Sequence, residues 1–346
     1  MIWLTWRQFR TQAAAVFAAL AALAIVLAIT GPGLASDYSS GIAACSTQPS
    51  GCDNFIGQFF SGHQSAFLLA TLAVLVLPVT IGLFWGAPLL TREIEAGTHR
   101  LVWNQTVTRS RWLAVKLVLI GLAAAIAGGL GSIAVGWWSS PLDKAADDFP
   151  RFGPIMFAAR GIVPIAYAVF AFALGVTVGI LVRRTLPAMA ITLVVFAGFQ
   201  AAMPLLVRPH LAAPVQSTVE INASNVDGLS LAQGGSGNIR VWVKSRVPSD
   251  PDAWVLSSET VDASGKAVTS VPLSASSGPC APSGGSPDQS MARCLAEVKR
   301  LGYRQHLTYQ PSTRFWAFQW YETGIYAALT LGLAGLSFWR IRRRLI

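Results

Sequence analysis

The chain is short of charge: of its 346 residues only 12% are Asp, Glu, Lys or Arg, whereas 53% are hydrophobic. Soluble domains place about a quarter of their residues in charge. With a mean hydropathy of +0.50, this composition excludes an ordinary soluble fold. Catalytic signatures are lacking too. There is no G-x-x-x-x-G-K-[ST] phosphate loop, because "GGLG" at 128–131 and "GGSG" at 234–237 have no lysine to reach a phosphate. H-E-x-x-H and G-x-S-x-G are absent, as are two intramembrane carboxylates spaced for acid–base work. None of the four histidines stands at ligand spacing beside a cysteine pair, which argues against a metal centre. The chain is therefore expected to be no enzyme and to hold no cofactor. Its net charge of +10 comes without a nucleic-acid-binding motif, so no nucleic-acid partner is expected.

Long apolar runs are what the sequence has. A helix needs about 20 mostly apolar residues to cross a bilayer, and six stretches qualify, at 13–34, 65–90, 113–138, 159–182, 187–207 and 316–339. The expected fold is an all-α polytopic membrane protein with six spans. The start, "MIWLTWRQFRTQ" before an apolar run and "GPGLAS", has the outline of a signal peptide. The run exceeds the 7–15 residues of a signal core, so an uncleaved first span is expected. Within 1–12, Ile2, Trp3, Trp6 and Phe9 recur at helical spacing away from Arg7, Gln8 and Arg10, which predicts an amphipathic helix on the cytoplasmic leaflet.

Charge asymmetry orients the spans. Arg7, Arg10, Arg92, Arg100, Arg109, Arg111, Lys116, Arg183, Arg184 and the arginines after 339 fall on one side, whereas residues 35–64 contain no Lys or Arg. By the positive-inside bias both termini are cytoplasmic, in a plasma membrane. The cysteines agree: Cys45, Cys52, Cys280 and Cys294 all fall on the opposite side, where disulfides persist. Closeness in sequence favours Cys45–Cys52 and Cys280–Cys294, although spacing leaves other connectivities and free thiols open. Residues 208–314 turn rich in Ser, Gly, Pro and Asp, with strand-like runs at 239–243 and 253–256 and helical spacing from Met291 through Leu295, Val298 and Leu301. This predicts an extracytoplasmic α+β insertion between spans five and six. The chain then divides into 1–12, 13–207, 208–314 and 315–346, the last being span six with a basic tail.

Between spans two and three lies "TREIEAGTHRLVWNQTVTRSRW" at 91–112. Leu90 and Ile94 share a helical face, Gly97 suits a helix C′ position, Thr98 is an N-cap for a second short helix, and Thr108 or Ser110 starts a third. Such a segment, held across the membrane surface by two spans, suits the transmission of force from a partner. The plainer reading is a solvated loop whose charges only set topology. "EIEAGTHRL", the later "TRSRW" and Lys116 resemble the loop of ABC-2-type transporter permeases. The N-terminal "MIWLTWRQFR", "YQPSTRFWAFQWYETG" and "FWRIRRRLI" are similar to a set of these from high-GC Gram-positive bacteria. Where many members carry Pro before the Ser-Arg, this chain has Thr106-Val107-Thr108. The resemblance implies a permease subunit, more often exporting, whose loop docks on a separate ATP-binding subunit. A second permease copy or a similar permease completes the transporter. By position it implies that Glu93, Glu95, Gly97, Thr98, His99, Arg100 and Trp103 form or shape that contact, flanked by Arg109 and Arg111.

Ionisable or strongly polar groups inside spans are functional candidates; here they are Arg160, Gln200 and Glu322. Glu322 is expected either to pair with Arg160 or to reach the outer headgroups together with it. The competing function is a membrane sensor or accessory protein whose insertion binds a ligand.

Overall fold

The computed structural model describes residues 2–47, 52–95, 108–146, 149–223, 225–231, 238–281 and 287–344. Among them, six helices are long and apolar enough to cross a membrane: Phe9–Cys45, Asp53–Glu93, Ser110–Ala145, Val163–Val182, Thr185–His210 and Ser312–Arg343. The chain is a multi-pass membrane protein. Its contacts divide it into a membrane unit (Met1–Phe149, Pro154–Arg208 and Trp316–Ile346) and a smaller unit (Pro150–Gly153 and Pro209–Phe315).

The first helix, α1 (Ile2–Cys45), spans 44 residues. At 1.5 Å per residue it is about 66 Å long, roughly twice the hydrocarbon thickness. Residues 2–12, expected as a separate surface helix, are its first turns, and buried Phe9 meets Trp85 edge-on at 4.8 Å. Its far end corrects a second expectation. Of the stretch between the first two expected spans, residues 35–45 form the end of α1 and residues 53–64 the start of α2 (Asp53–Ile81), tied by the Cys45–Cys52 disulfide. Serines at 36, 39 and 40 sustain the helix by donating to carbonyls three residues back, while Tyr38, Phe55 and Phe59 pack together.

Span two continues through a π-turn at Gly82–Gly86 into α3 (Pro88–Glu95). Span three is α4 (Arg109–Ala145), whose N-cap Thr108 accepts a hydrogen bond from the Arg111 amide. A short α5 (Pro154–Ala159) precedes span four, α6 (Val163–Val182). Span five is α7 (Thr185–Ala202), extended by a π-turn at Met203–Val207, and span six is α9 (Phe315–Arg344). The intervening α8 belongs to the smaller unit. Lipid supplies no hydrophobic force between helices, so close approach matters most. A Cβ at Gly86 would stand 2.6 Å from the Phe172 carbonyl oxygen, and one at Gly179 would stand 2.8 Å from that of Ala87. These glycines let spans two and four meet backbone to backbone. The α6–α7 hairpin turns on Arg183, a non-glycine at φ 60°, whose N–H donates to Gly179.

In the smaller unit, β1 (Val215–Glu220), β6 (Arg304–Gln310) and β4 (Trp254–Val261) form an antiparallel sheet in the order β1-β6-β4. A second antiparallel sheet runs β2-β3-β5, from Val226–Leu231, Asn238–Val243 and Val271–Ser274. Helix α8 (Pro287–Arg300) buries Leu295 and Val298 against Ile239, Val241 and Val271, and the Cys280–Cys294 disulfide ties it down. Buried Gln305 joins the sheets, accepting from Asn225 and donating to Ser258 and the Lys244 carbonyl. Both expected disulfides and the α+β character of this insertion are present.

Candidate functional site

Two polar clusters stand at opposite ends of α7. From Thr185 to Val207 they are separated by about 35 Å of helix.

At the first end α3 is clasped to its neighbours. Glu93 accepts from Lys116 Nζ of α4 at 2.6 Å, and Lys116, buried, lies 4.5 Å from the Trp112 ring centroid. Glu95 accepts from both the backbone N–H and the hydroxyl of Thr185, each at 2.8 Å. Thr185 opens α7, so Glu95 satisfies donors that a helix start leaves orphaned. The Thr185 hydrogen bonds hold this carboxyl below the usual glutamate value of 4.5. Thr91 adds a hydroxyl contact to Thr185 at 2.9 Å, and Arg342 near the end of α9 donates to Ser110 at 3.0 Å. Gly97, Thr98, His99, Arg100 and Trp103 lie outside the described residues; Arg109 and Arg111 sit in the first turn of α4.

At the far end the groups are buried. Arg208 donates through Nε and Nη2 to both carboxylate oxygens of Glu322, at 2.9 and 3.1 Å, and its guanidinium carbon lies 4.2 Å from the Phe157 ring centroid. The Tyr167 hydroxyl donates to the same carboxylate, and Tyr326 crosses the Tyr167 ring at 4.8 Å while donating to Gln200 at 3.3 Å. One helical turn before Glu322, Gln319 bridges the break between α5 and α6. Its Oε1 accepts from the Ile162 and Val163 amides, and its Nε2 donates to the Phe157 and Arg160 carbonyls. The break itself turns on Gly161 at φ 72°, where a side chain would strike Gln319.

The expected Glu322–Arg160 pair does not form. Arg160 binds Asp143 of α4, with Nη2 to Oδ1 at 3.1 Å, and Glu322 takes Arg208. Nor does either group reach for water: Glu322 is 0% exposed and Arg160 3%. The reason is geometric. Arg208 closes the π-turn that prolongs span five, which makes it a membrane-unit residue and not the first residue of the insertion. Arg208, Tyr167, Gln319 and Thr185 were missed by sequence reasoning. A signal existed for part of this set, since Gln319, Glu322, Tyr326, Thr330 and Ser337 fall at three- and four-residue steps, or multiples of them, along one helix face. Ser337 does meet Thr177 of α6 at 3.0 Å. Among the described residues no group of His, Cys, Asp and Glu is placed to hold a metal.

Six helices long and apolar enough to cross a membrane define the class, a multi-pass membrane protein. The comparison with known families is more specific: residues 17–208, more than half of the chain, match the family ABC-2 membrane transporter related, and the chain belongs to it. No curated protein and no solved structure matches the chain. The membrane components of this family are typically non-catalytic and work with an ABC ATP-binding partner.

Proposed function

We propose that the chain is the membrane-spanning permease subunit of an ATP-driven exporter, coupled through residues 91–112 to a separate ATP-binding subunit. Family membership gives the class, and one observation carries the coupling: the acids at the loop entrance are committed to other spans. Glu93 is bonded to span three and Glu95 to the start of span five. A push on the segment that follows Glu95 therefore reaches spans two, three and five together. In this reading Glu93 and Glu95 shape the docking surface from within the chain, while His99, Arg100 and Trp103 meet the partner. Arg109 and Arg111 flank the contact. Both termini are cytoplasmic, the smaller unit is extracytoplasmic with its disulfide, and two permease copies assemble as a homodimer.

The test is purification of the tagged chain from its host in gentle detergent. An ATPase that accompanies it, and is lost on Arg100→Glu or Trp103→Ala, supports the reading. An associated ATPase indifferent to both changes refutes the docking role. The alternative of a sensor draws on a groove of about 400 Å³ in the smaller unit, lined by Arg240, Trp242 and Glu259. It gains if no ATPase associates even after cross-linking.

A further inference from the structure

Helices α1 and α2 both pack on α4 yet leave a crevice between them. It consists of two cavities, about 580 and 430 Å³, that share Leu23 of α1. Each falls within the roughly 300–1,000 Å³ of small-molecule sites. One end is apolar, with Ala15, Ala19 and Ala73 too small to close the gap and Phe84 at its limit. At the other end Asp37 of α1 and His63 of α2 are in the lining. The rim is apolar and open on the lipid side, where Ile29 is 75% exposed and Leu69 66%.

The polar end has one chemical sense. Among the described residues no hydrogen bond or ion pair engages the Asp37 carboxylate, and no Lys or Arg occurs from 35 to 64 to neutralise it. His63 Nδ1 lies 2.9 Å from the Phe59 carbonyl, an obligate acceptor, so Nδ1 carries the proton, and in the neutral imidazole Nε2 presents a lone pair. Two acceptors, one of them anionic, above a long apolar trough match a donor-rich cationic head on a hydrocarbon chain. We infer that the α1–α2 crevice binds a membrane-dissolved amphiphile with an amine head, its ammonium at Asp37 and His63 and its chain along Leu23 toward Phe84. A neutral or anionic head of equal chain length lacks this attraction. The inference does not rest on the transport reading, because binding requires no ATPase.

The test uses the full chain in lipid discs and an octadecylamine, long enough to reach from Asp37 past Leu23, carrying a photoreactive diazirine near the end of its chain. Labelling is expected within α1 and α2. Unlabelled octadecylamine should compete about tenfold more strongly than octadecanol, as a charge-assisted hydrogen bond implies. Asp37→Asn should abolish that preference and leave chain-driven labelling, whereas Ala73→Trp, which fills the trough at an exposed position, should remove labelling altogether. Equal competition by the alcohol and the amine, or labelling that survives Ala73→Trp, would overturn the assignment and leave an ordinary gap filled by lipid tails.

Discussion

At Arg208 the fifth span ends in a guanidinium–carboxylate pair with both partners at most 1% exposed, whereas at Thr185 it begins on a carboxylate that stands in the open. The same helix is thus gripped in two ways. In a low-dielectric interior each hydrogen bond of the Arg208–Glu322–Tyr167 cluster is strengthened and any missing partner is costly, so this end has one arrangement. At the Glu95 end water can replace either partner, and screening keeps each contact weak. An element that must answer an external push needs contacts of the second kind at the point of loading and of the first kind where it is anchored. Weak and firm contacts are divided along one helix.

That contrast can be broken most forcefully at the buried end. Arg208→Met leaves the Glu322 carboxylate uncompensated, and removing one member of a buried pair costs about 3–5 kcal/mol. Thermal unfolding in detergent should show this loss, and adding Glu322→Gln should restore much of it by removing the orphaned charge while keeping an acceptor for Tyr167. A double variant as unstable as the single would mean that packing, and not charge, holds this end. Next in size is the smaller unit. Cysteines 280 and 294 close a loop of 14 residues, and the chain-entropy argument assigns such a bridge about 3 kcal/mol. Replacing both with serine should raise proteolysis within 209–315 and leave the membrane unit intact.

The smallest effect belongs to Glu95. Its carboxyl is held below 4.5 chiefly by the Thr185 amide. A depressed acid contributes stability above its unfolded value, and that contribution is lost as pH falls through the folded one. The difference in melting temperature between wild type and Glu95→Gln should therefore be small and constant at neutral pH and shrink progressively as pH falls below about 4.5, through the lower folded value. A difference that does not shrink on acidification below 4.5 would place the role of Glu95 elsewhere.

How much of this was legible in the sequence follows from the range of each interaction. Spans, disulfide pairs, the helix from Met291 and the Thr108 cap depend on residues near in sequence, and local pattern revealed them. The length of α1 was misjudged because its polar last quarter lay outside the apolar run; serine hydroxyls bonding back to the helix, and aromatic packing across the hairpin, are invisible to hydropathy. Glu322 was legible as an ionisable group within a span, yet not as a buried one; its partner lies 114 residues away, and the π-turn after Ala202 brings Arg208 to it. Glu95 was expected to form or shape a partner contact, and its bond to Thr185 of α7, 90 residues on, was not foreseen. Long-range polar pairing, more than secondary structure, was what the sequence withheld.

The central claim, coupling through 91–112, is tested most directly by a photo-cross-linking residue at position 103 in native membranes, with adducts identified by mass spectrometry. The account predicts an adduct with a protein that carries a G-x-x-x-x-G-K-[ST] loop, and none from a control probe placed at position 37. Adducts at 103 with lipid or with this chain alone, while the same membranes hold the assembled complex, would contradict it.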